Sequence, residues 1–289
     1  MDDEKFTIEV KDMDLLKDLL RNKEYLKPLF AGDSVKRLAG LEALLSRTRP
    51  ESNTDGKSRK YLQQADKDET LITLLALSTL QKIGASAWED LMGNAFPGKE
   101  REPIVNHCLK LEKAIKPSRE ILDLLQSKAQ TNPVKYIRED IKGNKPVEGK
   151  TTFDAVLKLN GAAKVFIECK FTSDISCQTT YVTTRNQLAR CIEVGLADVK
   201  YDLNQFYFLL ITPEIYKKPP GSRLYYYKMK EYMNDPEALL NDIGTINKRV
   251  PHSYEKKWLQ ELSSRIGWIT WEECLRIIEK SKNNYQSMT

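Results

Sequence analysis

The sequence predicts an α/β fold in which a mixed β-sheet core is flanked by helices and preceded by an N-terminal helical region. Residues 12–47 carry apolar side chains at helical spacing. From about residue 134 the chain changes to short runs rich in β-branched and aromatic residues, bounded by Gly, Asn, Pro or Ser. An amphipathic helix over residues 184–196 separates the third run from the fourth. The order of helix, three strands, helix and strand indicates a mixed sheet.

The first half of the chain is expected to be helical, with residues 49–60 as a linker because they hold almost no apolar side chains. Beyond the linker, helices are predicted over residues 69–83, 85–96 and 103–130. The last of these contains a break at Pro117, and Ser118 is placed to cap the helix that resumes there. The predicted boundary separates a helical region of unknown role, residues 1–80, from a second domain, residues 81–289.

Short strands are predicted in the second half, over residues 134–141, 152–159, 164–171, 206–212 and 223–229. Asn160–Gly161 lies between the second and third runs, and this dipeptide is typical of a β-hairpin turn. After the apolar segment RIGWIT, Thr270 and Glu273 have the spacing of a capping box, which predicts a final helix.

The charge of the chain is unevenly distributed. The 289 residues include 46 Lys and Arg against 41 Asp and Glu, a formal charge of +5. Residues 1–97 hold 15 basic and 17 acidic side chains, so residues 98–289 hold 31 and 24, a net +7. A polyanionic partner is therefore permitted in the second region. The chain has only two His, which excludes metal centres built from several histidine ligands.

The cysteines and the N-terminus predict a cytoplasmic protein. The five Cys form no CxxC pair, and their irregular spacing is typical of reduced thiols. The N-terminal MDDEKFTIEVKD is acidic and has no apolar core, so we expect no signal peptide. No stretch approaches the roughly 20 apolar residues of a membrane span, so no membrane partner is expected.

A charged pair interrupts an otherwise apolar strand at residues 164–171. Strand alternation places Glu168 and Lys170 on one face and only apolar side chains on the other, those of Val165, Ile167, Cys169 and Phe171. The Asn-Gly hairpin brings Asp154, near the start of the preceding strand, beside Glu168. Two carboxylates next to a lysine make a hard-oxygen site for Mg²⁺ or Mn²⁺. The alternative is a solvated salt bridge on an edge strand.

Asp154 followed by Glu168-Cys169-Lys170 resembles the catalytic signature of the PD-(D/E)XK nuclease superfamily, which has the restriction-endonuclease-like fold. The predicted order of elements agrees. Within that superfamily, the segments FDAVL, FIECKFTSDIS, RNQLARCIEVGL, FYFLLITP and GWITWEE are similar to bacterial proteins described as restriction-type endonucleases. The resemblance covers about residues 85–270. Phe153 stands where the signature has its Pro.

The resemblance implies a metal-dependent endonuclease that hydrolyses DNA phosphodiester bonds, as a bacterial restriction or defence-type enzyme. Asp154, Glu168 and the backbone carbonyl of Cys169 would hold Mg²⁺ or Mn²⁺, which activates water and offsets charge on the phosphate. Lys170 would orient the nucleophile as a cation, since two carboxylates favour its protonated form. Cutting both DNA strands usually takes two active sites, so a homodimer is one expectation.

The resemblance also suggests roles for three further residues. Glu89 is the candidate for the auxiliary acid that this superfamily often carries on its first core helix; otherwise it is a solvated helix-face Glu. Gln187 would contact the reacting water or a phosphate, and the alternative is a capping box at the start of its helix. Arg190 would bind a DNA phosphate, and the alternative is an ion pair with Glu193 or Asp198.

Two other functions stay open. One is a catalytically inactive nucleic-acid-binding module on the same fold, and the other is a structural protein in which the charged residues form a salt-bridge network. Tyr225, Tyr226 and Tyr227 are candidates for base stacking, with packing on a strand as the alternative. Lysines that could follow a DNA backbone stand at positions 217, 218, 228, 230, 256 and 257.

Overall fold

The computed structural model describes residues 23–47, 69–100, 102–132, 138, 147–176, 185–246 and 255–286. Within these residues the strands form one five-stranded mixed sheet with helices packed on both faces. The predicted α/β class is therefore confirmed. The linker predicted at residues 49–60 and most of the strand predicted at residues 134–141 lie outside the described residues.

The sheet follows the order of the chain, β1-β2-β3-β4-β5. Its strands are β1 His107–Ile115, β2 Thr151–Leu159, β3 Ala163–Cys169, β4 Phe206–Thr212 and β5 Ile266–Thr270. The first three strands pair antiparallel, whereas β3, β4 and β5 pair parallel. The carboxyl ends of these three parallel strands therefore meet at one edge of the sheet.

Helices fill the connections and the two ends of the described chain. They are α1 Lys23–Leu26, α2 Ser34–Arg47, α3 Glu69–Ile83, α4 Ala85–Ala95, α5 Arg119–Gln130, α6 Gln187–Asp198, α7 Leu224–Asn234, α8 Pro236–Asp242, α9 Glu255–Ser263 and α10 Trp271–Gln286. Single 3₁₀ turns occur at Lys27–Leu29, Leu203–Gln205 and Glu214–Tyr216. Among the described residues, no helix combines the length and the apolar character that crossing a membrane requires.

One face of the sheet is covered by α3, α4 and α10. Helix α3 is apolar around its whole circumference, and residues 71–80 are all buried, because it packs against α4, α10 and β1. The apolar side of β3, with Val165, Ile167 and Cys169, lies in this core as predicted. The boundary expected between residues 80 and 81 falls inside α3, and side chains on both sides of it share one core.

The other face of the sheet is covered by α6, α7 and α9. Phe166 on β3 and Phe206 on β4 stack with ring centroids 5.7 Å apart beneath α6. Gly195 lets that helix approach the sheet closely, since a Cβ at this position would lie 3.0 Å from both rings. This packing fixes α6, and with it the residues at its first turn, above the carboxyl end of β3.

The local signals for turns and caps are confirmed. Asn160 and Gly161 adopt φ of 48° and 79° between β2 and β3, the left-handed conformation that an Asn-Gly hairpin turn requires. Thr270 and Glu273 form the expected capping box at the start of α10, with each backbone N–H donating to the other side chain at 2.7 and 3.1 Å. Ser118 caps α5 through the backbone N–H of Ile121.

Two predicted elements are wrong. Residues 107–115, expected to be helical, form β1, because Leu109 and Leu111 are buried at strand spacing and the segment pairs with β2 along its length. Residues 223–229, expected to be a strand, belong mostly to helix α7. The buried side chains of α7 recur at helical spacing, at Tyr225, Met229 and Tyr232. Aromatic content alone was a misleading signal in this segment.

Candidate active site

The hairpin of β2 and β3 brings Asp154 to Glu168. The register pairs Ala155 with Ile167, so one residue further Asp154 stands opposite Glu168. The backbone N–H of Cys169 donates to Asp154 Oδ2 at 2.7 Å, which fixes the carboxylate against the end of β3. The sequence-based expectation of two neighbouring carboxylates on these strands is met in the structure.

Glu168 is the centre of a buried hydrogen-bond network. Its Oε1 accepts from Lys170 Nζ at 2.9 Å and from Gln187 Nε2 at 2.6 Å. The thiol of Cys191 lies 3.8 Å from the other oxygen, Oε2. Glu168 is 3% exposed and Lys170 is 6% exposed. The pair is therefore not a solvated salt bridge on an edge strand, because β3 is central and both side chains are buried.

Gln187 reaches this network because of the way α6 begins. Asn186 is the N-cap, and its side chain accepts from the backbone N–H of Ala189 at 3.0 Å. Gln187 is thus the first helical residue and does not close the capping box that was the alternative. Its side-chain Oε1 accepts from the backbone N–H of Ser176 at 3.2 Å, which leaves Nε2 directed at Glu168.

Glu69 is a member of the site that the sequence did not indicate. It is the first residue of α3, and its Oε1 lies 3.5 Å from Lys170 Nζ. Its Oε2 accepts from the backbone N–H of Phe171 at 3.0 Å and from Ser173 Oγ at 2.8 Å. An acid in the first turn of a helix is ordinary, since the helix dipole favours it there. No specific signal in the sequence distinguished Glu69 from other such acids.

Glu89 and Arg190 have other partners. Glu89 is exposed on α4 and accepts from the backbone N–H of Ile104 at 2.9 Å. Arg190 Nε donates to Thr151 Oγ1 at 3.0 Å and lies 3.5 Å from Glu148. Neither residue has a described contact with Glu168 or Lys170, and Arg190 does not pair with the acids expected for it. The acid that lies beside Lys170 in the structure is Glu69, from helix α3.

Burial makes both strand carboxylates costly to ionise. Desolvation and the charge of Glu168 together raise the pKa of Asp154 to about 8, against the lowering effect of the Cys169 N–H. Burial also raises the pKa of Glu168, although Lys170 acts in the opposite direction. Each carboxylate is therefore costly to ionise beside the other. A bound cation would relieve that cost.

The ammonium form of Lys170 is strongly favoured. Burial acts to lower the pKa of Lys170, but the charges of Glu168 and Glu69 outweigh it and raise the pKa above its usual value. The backbone of this residue is held as well, since its carbonyl accepts from Trp271 Nε1 at 3.0 Å. Lys170 is thus a fixed cation and a poor proton acceptor at neutral pH.

The donor set fits a hard divalent cation shared with a substrate. Asp154 and Glu168 supply carboxylate oxygens, which Mg²⁺ prefers, and this ion is commonly held by one or two carboxylates with waters and substrate phosphates. In the described part of the chain, no group of three or more His, Cys, Asp and Glu side chains is arranged to hold a metal ion. An ion held by Asp154 and Glu168 would take its remaining ligands from water or a substrate.

Comparisons with known proteins add no assignment to this geometry. No family model, no curated protein and no solved structure matches the chain.

Proposed function

We propose that this protein is a metal-dependent endonuclease that hydrolyses DNA phosphodiester bonds, as a bacterial restriction or defence-type enzyme with a restriction-endonuclease-like core. The observation that carries the proposal is the buried network around Glu168. Asp154 from β2, Glu168 from β3, Lys170 directly after β3 and Gln187 from α6 converge at the carboxyl end of one strand. A buried, charged cluster of this kind is costly for folding alone, which favours a catalytic role.

The proposed metal is Mg²⁺ or Mn²⁺, held by Asp154 and Glu168, with the carbonyl of Cys169 as a third donor. When bound, the ion would supply Lewis-acid chemistry, which lowers the pKa of water and offsets charge on the scissile phosphate. Hydrogen bonds hold both carboxylates in place, Asp154 through the Cys169 N–H and Glu168 through Lys170 and Gln187, which supports the proposal. Binding of the ion would also require Asp154 to lose its proton, because burial raises the pKa of this carboxyl to about 8.

Lys170 is assigned an electrostatic role. Because it stays protonated between Glu168 and Glu69, it would stabilise the negative charge that develops on the phosphate, and it would not abstract a proton. Gln187 would orient Glu168 and, through Ser176, tie the loop after β3 to helix α6. Glu69 would hold Lys170 and the same loop from the opposite side.

A non-cleaving nucleic-acid-binding module is the second candidate, and one observation favours it. Glu168 Oε1 already accepts two hydrogen bonds, from Lys170 and Gln187, so the network is satisfied without an ion. In such a module the cluster would be structural, and DNA would bind without being hydrolysed.

A cleavage assay separates the two candidates. Purified protein is incubated with supercoiled plasmid and with linear DNA in Mg²⁺, in Mn²⁺ and in EDTA, and the same reactions are run with Asp154→Asn. Cutting that requires the ion and is lost in the variant supports the nuclease. Retarded migration of intact DNA supports the binding module. If the protein neither cuts DNA nor retards it, both candidate functions are contradicted.

A matched control makes the loss specific. Asp123→Asn removes the same charge from an exposed position on α5, where Asp123 is 61% exposed and pairs with Arg119. This variant is expected to cut at the wild-type rate. An equal loss in both variants would indicate a general effect of charge and would refute the assignment of Asp154.

A further inference from the structure

The surface beside the candidate site combines exposed tyrosine with an excess of cations. Residues 214–230 contain five basic side chains, at 217, 218, 223, 228 and 230, and the single acid Glu214. This segment follows β4 directly, so it starts from the edge of the sheet at which β3 ends with the catalytic candidates. The segment has a net charge of +4, part of which is offset because Lys218 pairs with Glu214 and Lys228 pairs with Glu231 and Asp242. The remaining positive charge is suited to a polyanion.

The segment is also tied to the loop that follows Lys170. Asp174 in that loop accepts from the backbone N–H groups of Leu224 and Tyr225 at 2.7 and 3.3 Å, which fixes the first turn of α7. The loop therefore connects the two places, with three residues between Lys170 and Asp174. A chain bound along α7 would be led towards the candidate site.

Helix α7 divides its three consecutive tyrosines between the core and the solvent. Tyr225 is fully buried, whereas Tyr227 is 54% exposed. The Tyr227 ring is fixed, because its hydroxyl donates to the Gly221 carbonyl at 3.0 Å and its ring meets the edge of Tyr226 at 5.3 Å. A rigid, exposed ring offers a stacking surface at little entropic cost.

Cations stand over the neighbouring rings. The Arg223 guanidinium lies 4.5 Å from the Tyr216 ring centroid, and Lys230 Nζ lies 6.0 Å from that of Tyr226. Lys218 is 67% exposed and pairs with Glu214 at 2.8 Å. Aromatic rings interleaved with basic side chains are the combination that binds single-stranded nucleic acid, since bases stack on the rings and phosphates meet the cations.

We propose that this tyrosine face, formed by Lys218, Arg223, Tyr226, Tyr227 and Lys230, binds single-stranded nucleic acid, with a base stacked on Tyr227. This inference rests on the proposed nuclease function, and it adds that the DNA substrate contains a strand with unpaired bases. A duplex cannot use the face in the same way, because its bases are stacked on one another and present no free ring surface.

The test measures binding without cleavage. Fluorescence anisotropy in EDTA follows labelled oligothymidylate and a blunt duplex of the same length, with wild-type protein, Tyr227→Ala and Tyr227→Phe. Tyr227→Ala is expected to weaken binding of the single strand by about 5- to 100-fold and to leave duplex binding unchanged, whereas Tyr227→Phe stays within about twofold. Paired substitution of Lys218 and Lys230 by Ala should reduce the salt dependence of single-strand binding.

Lys158→Ala provides the matched control, since Lys158 is an exposed lysine on β2, close to the hairpin turn. It should not change the salt dependence. Unchanged single-strand affinity in Tyr227→Ala, an equal loss for duplex and single strand, or no binding of either oligonucleotide by the wild type would each overturn the inference. If single-strand binding follows these expectations but the wild type never cuts DNA, only the nuclease proposal is refuted. If the wild type cuts DNA but Tyr227→Ala binds the single strand with unchanged affinity, only the tyrosine face is refuted.

Discussion

Glu69 Oε1 and Lys170 Nζ lie 3.5 Å apart, although the two residues are 101 positions apart in the sequence. The second oxygen of the same carboxylate holds the loop after β3, through the backbone of Phe171 and the hydroxyl of Ser173. The Glu69 side chain, at the start of α3, therefore holds both the ammonium group of Lys170 and the loop that follows this lysine. Helix α3 therefore contributes to the candidate site, although most of this helix precedes residue 81.

Glu69→Gln tests this connection. The amide keeps one acceptor oxygen but loses the charge that faces Lys170, so cleavage is expected to fall by about 10- to 100-fold. The free energy of unfolding should change by no more than about 1 kcal/mol, since the hydrogen bonds lost are partly exposed. Initial rates of plasmid cleavage and urea unfolding curves measure the two effects.

Glu89→Gln is the corresponding control. Glu89 carries the same charge, lies on the next helix and bonds only the backbone of Ile104 among its described contacts. Its rate of cleavage should match the wild type within about twofold. A larger loss in Glu89→Gln than in Glu69→Gln would show that the auxiliary acid had been assigned to the wrong helix.

Lys170→Ala is expected to abolish cleavage while the folded protein still binds DNA, because the ammonium is buried and acts on charge in the transition state. The change also leaves Glu168 with Gln187 and Cys191 as its remaining partners. Loss of one member of a buried pair costs about 3 kcal/mol or more of unfolding free energy. Urea unfolding gives that loss, and gel retardation gives DNA binding. Loss of metal binding in the folded variant would contradict the role assigned to this lysine.

The pKa of Asp154 predicts how stability depends on pH in metal-free protein. The carboxyl titrates near pH 8 when folded and near 4 when unfolded. Between these values the unfolded chain ionises while the folded protein keeps the proton, so stability falls as pH rises. The side chain in Asp154→Asn cannot titrate, so the free energy of unfolding of this variant lacks this decrease with pH. Its unfolding free energy relative to wild type should therefore increase from pH 5 to pH 8, by at most about 1.4 kcal/mol per pH unit.

Mg²⁺ provides the second arm of that experiment. A cation beside Asp154 favours its ionised form, so saturating Mg²⁺ should flatten the difference between wild type and variant above pH 6. Urea unfolding at pH 5, 6, 7 and 8, with and without the ion, covers both arms. A difference that is independent of pH in EDTA would mean that Asp154 is ionised in the folded state without a cation.

Local patterns were sufficient for most of the fold. The hairpin at Asn160–Gly161 and the capping box at Thr270 were predictable because each depends on a few neighbouring residues. Strand β1 was not, since its Lys and Glu residues favour a helix and only pairing with β2 holds the segment extended. The tyrosine run in α7 failed for a related reason: aromatic residues suit strands, but helix packing determined which of them are buried.

The candidate site residues on the β2–β3 hairpin were likewise predictable. Of those on helices, only one was predicted. Asp154, Glu168 and Lys170 lie on one hairpin, so spacing and alternation bring them together. Gln187 was predicted only from the resemblance to the PD-(D/E)XK superfamily. Glu69 depends on how α3 packs against the sheet, which spacing within the sequence does not encode.

Arg185 and Arg190 offer a final contrast, because the sequence analysis singled out Arg190 and not Arg185. Arg185 is 3% exposed and bridges the buried carboxylates of Glu148 and Glu193, the latter at 2.6 Å. Glu193 in turn accepts from Thr245 Oγ1 at 2.8 Å. This network stands directly before Asn186 and Gln187, so it fixes the start of α6. Arg190 reaches only the edge of the network.

Methionine at each position separates the two roles while keeping much of the side-chain volume. Arg185→Met leaves two buried carboxylates without their shared partner and is expected to cost about 3–5 kcal/mol of unfolding free energy. Arg190→Met loses partly exposed contacts to Thr151 and Glu148, worth about 1 kcal/mol, and should keep its affinity for DNA within about twofold. Urea unfolding and anisotropy measure these quantities. If Arg190→Met instead lowered DNA affinity tenfold with little effect on stability, the arginine would be a phosphate ligand despite the partners it has in this structure.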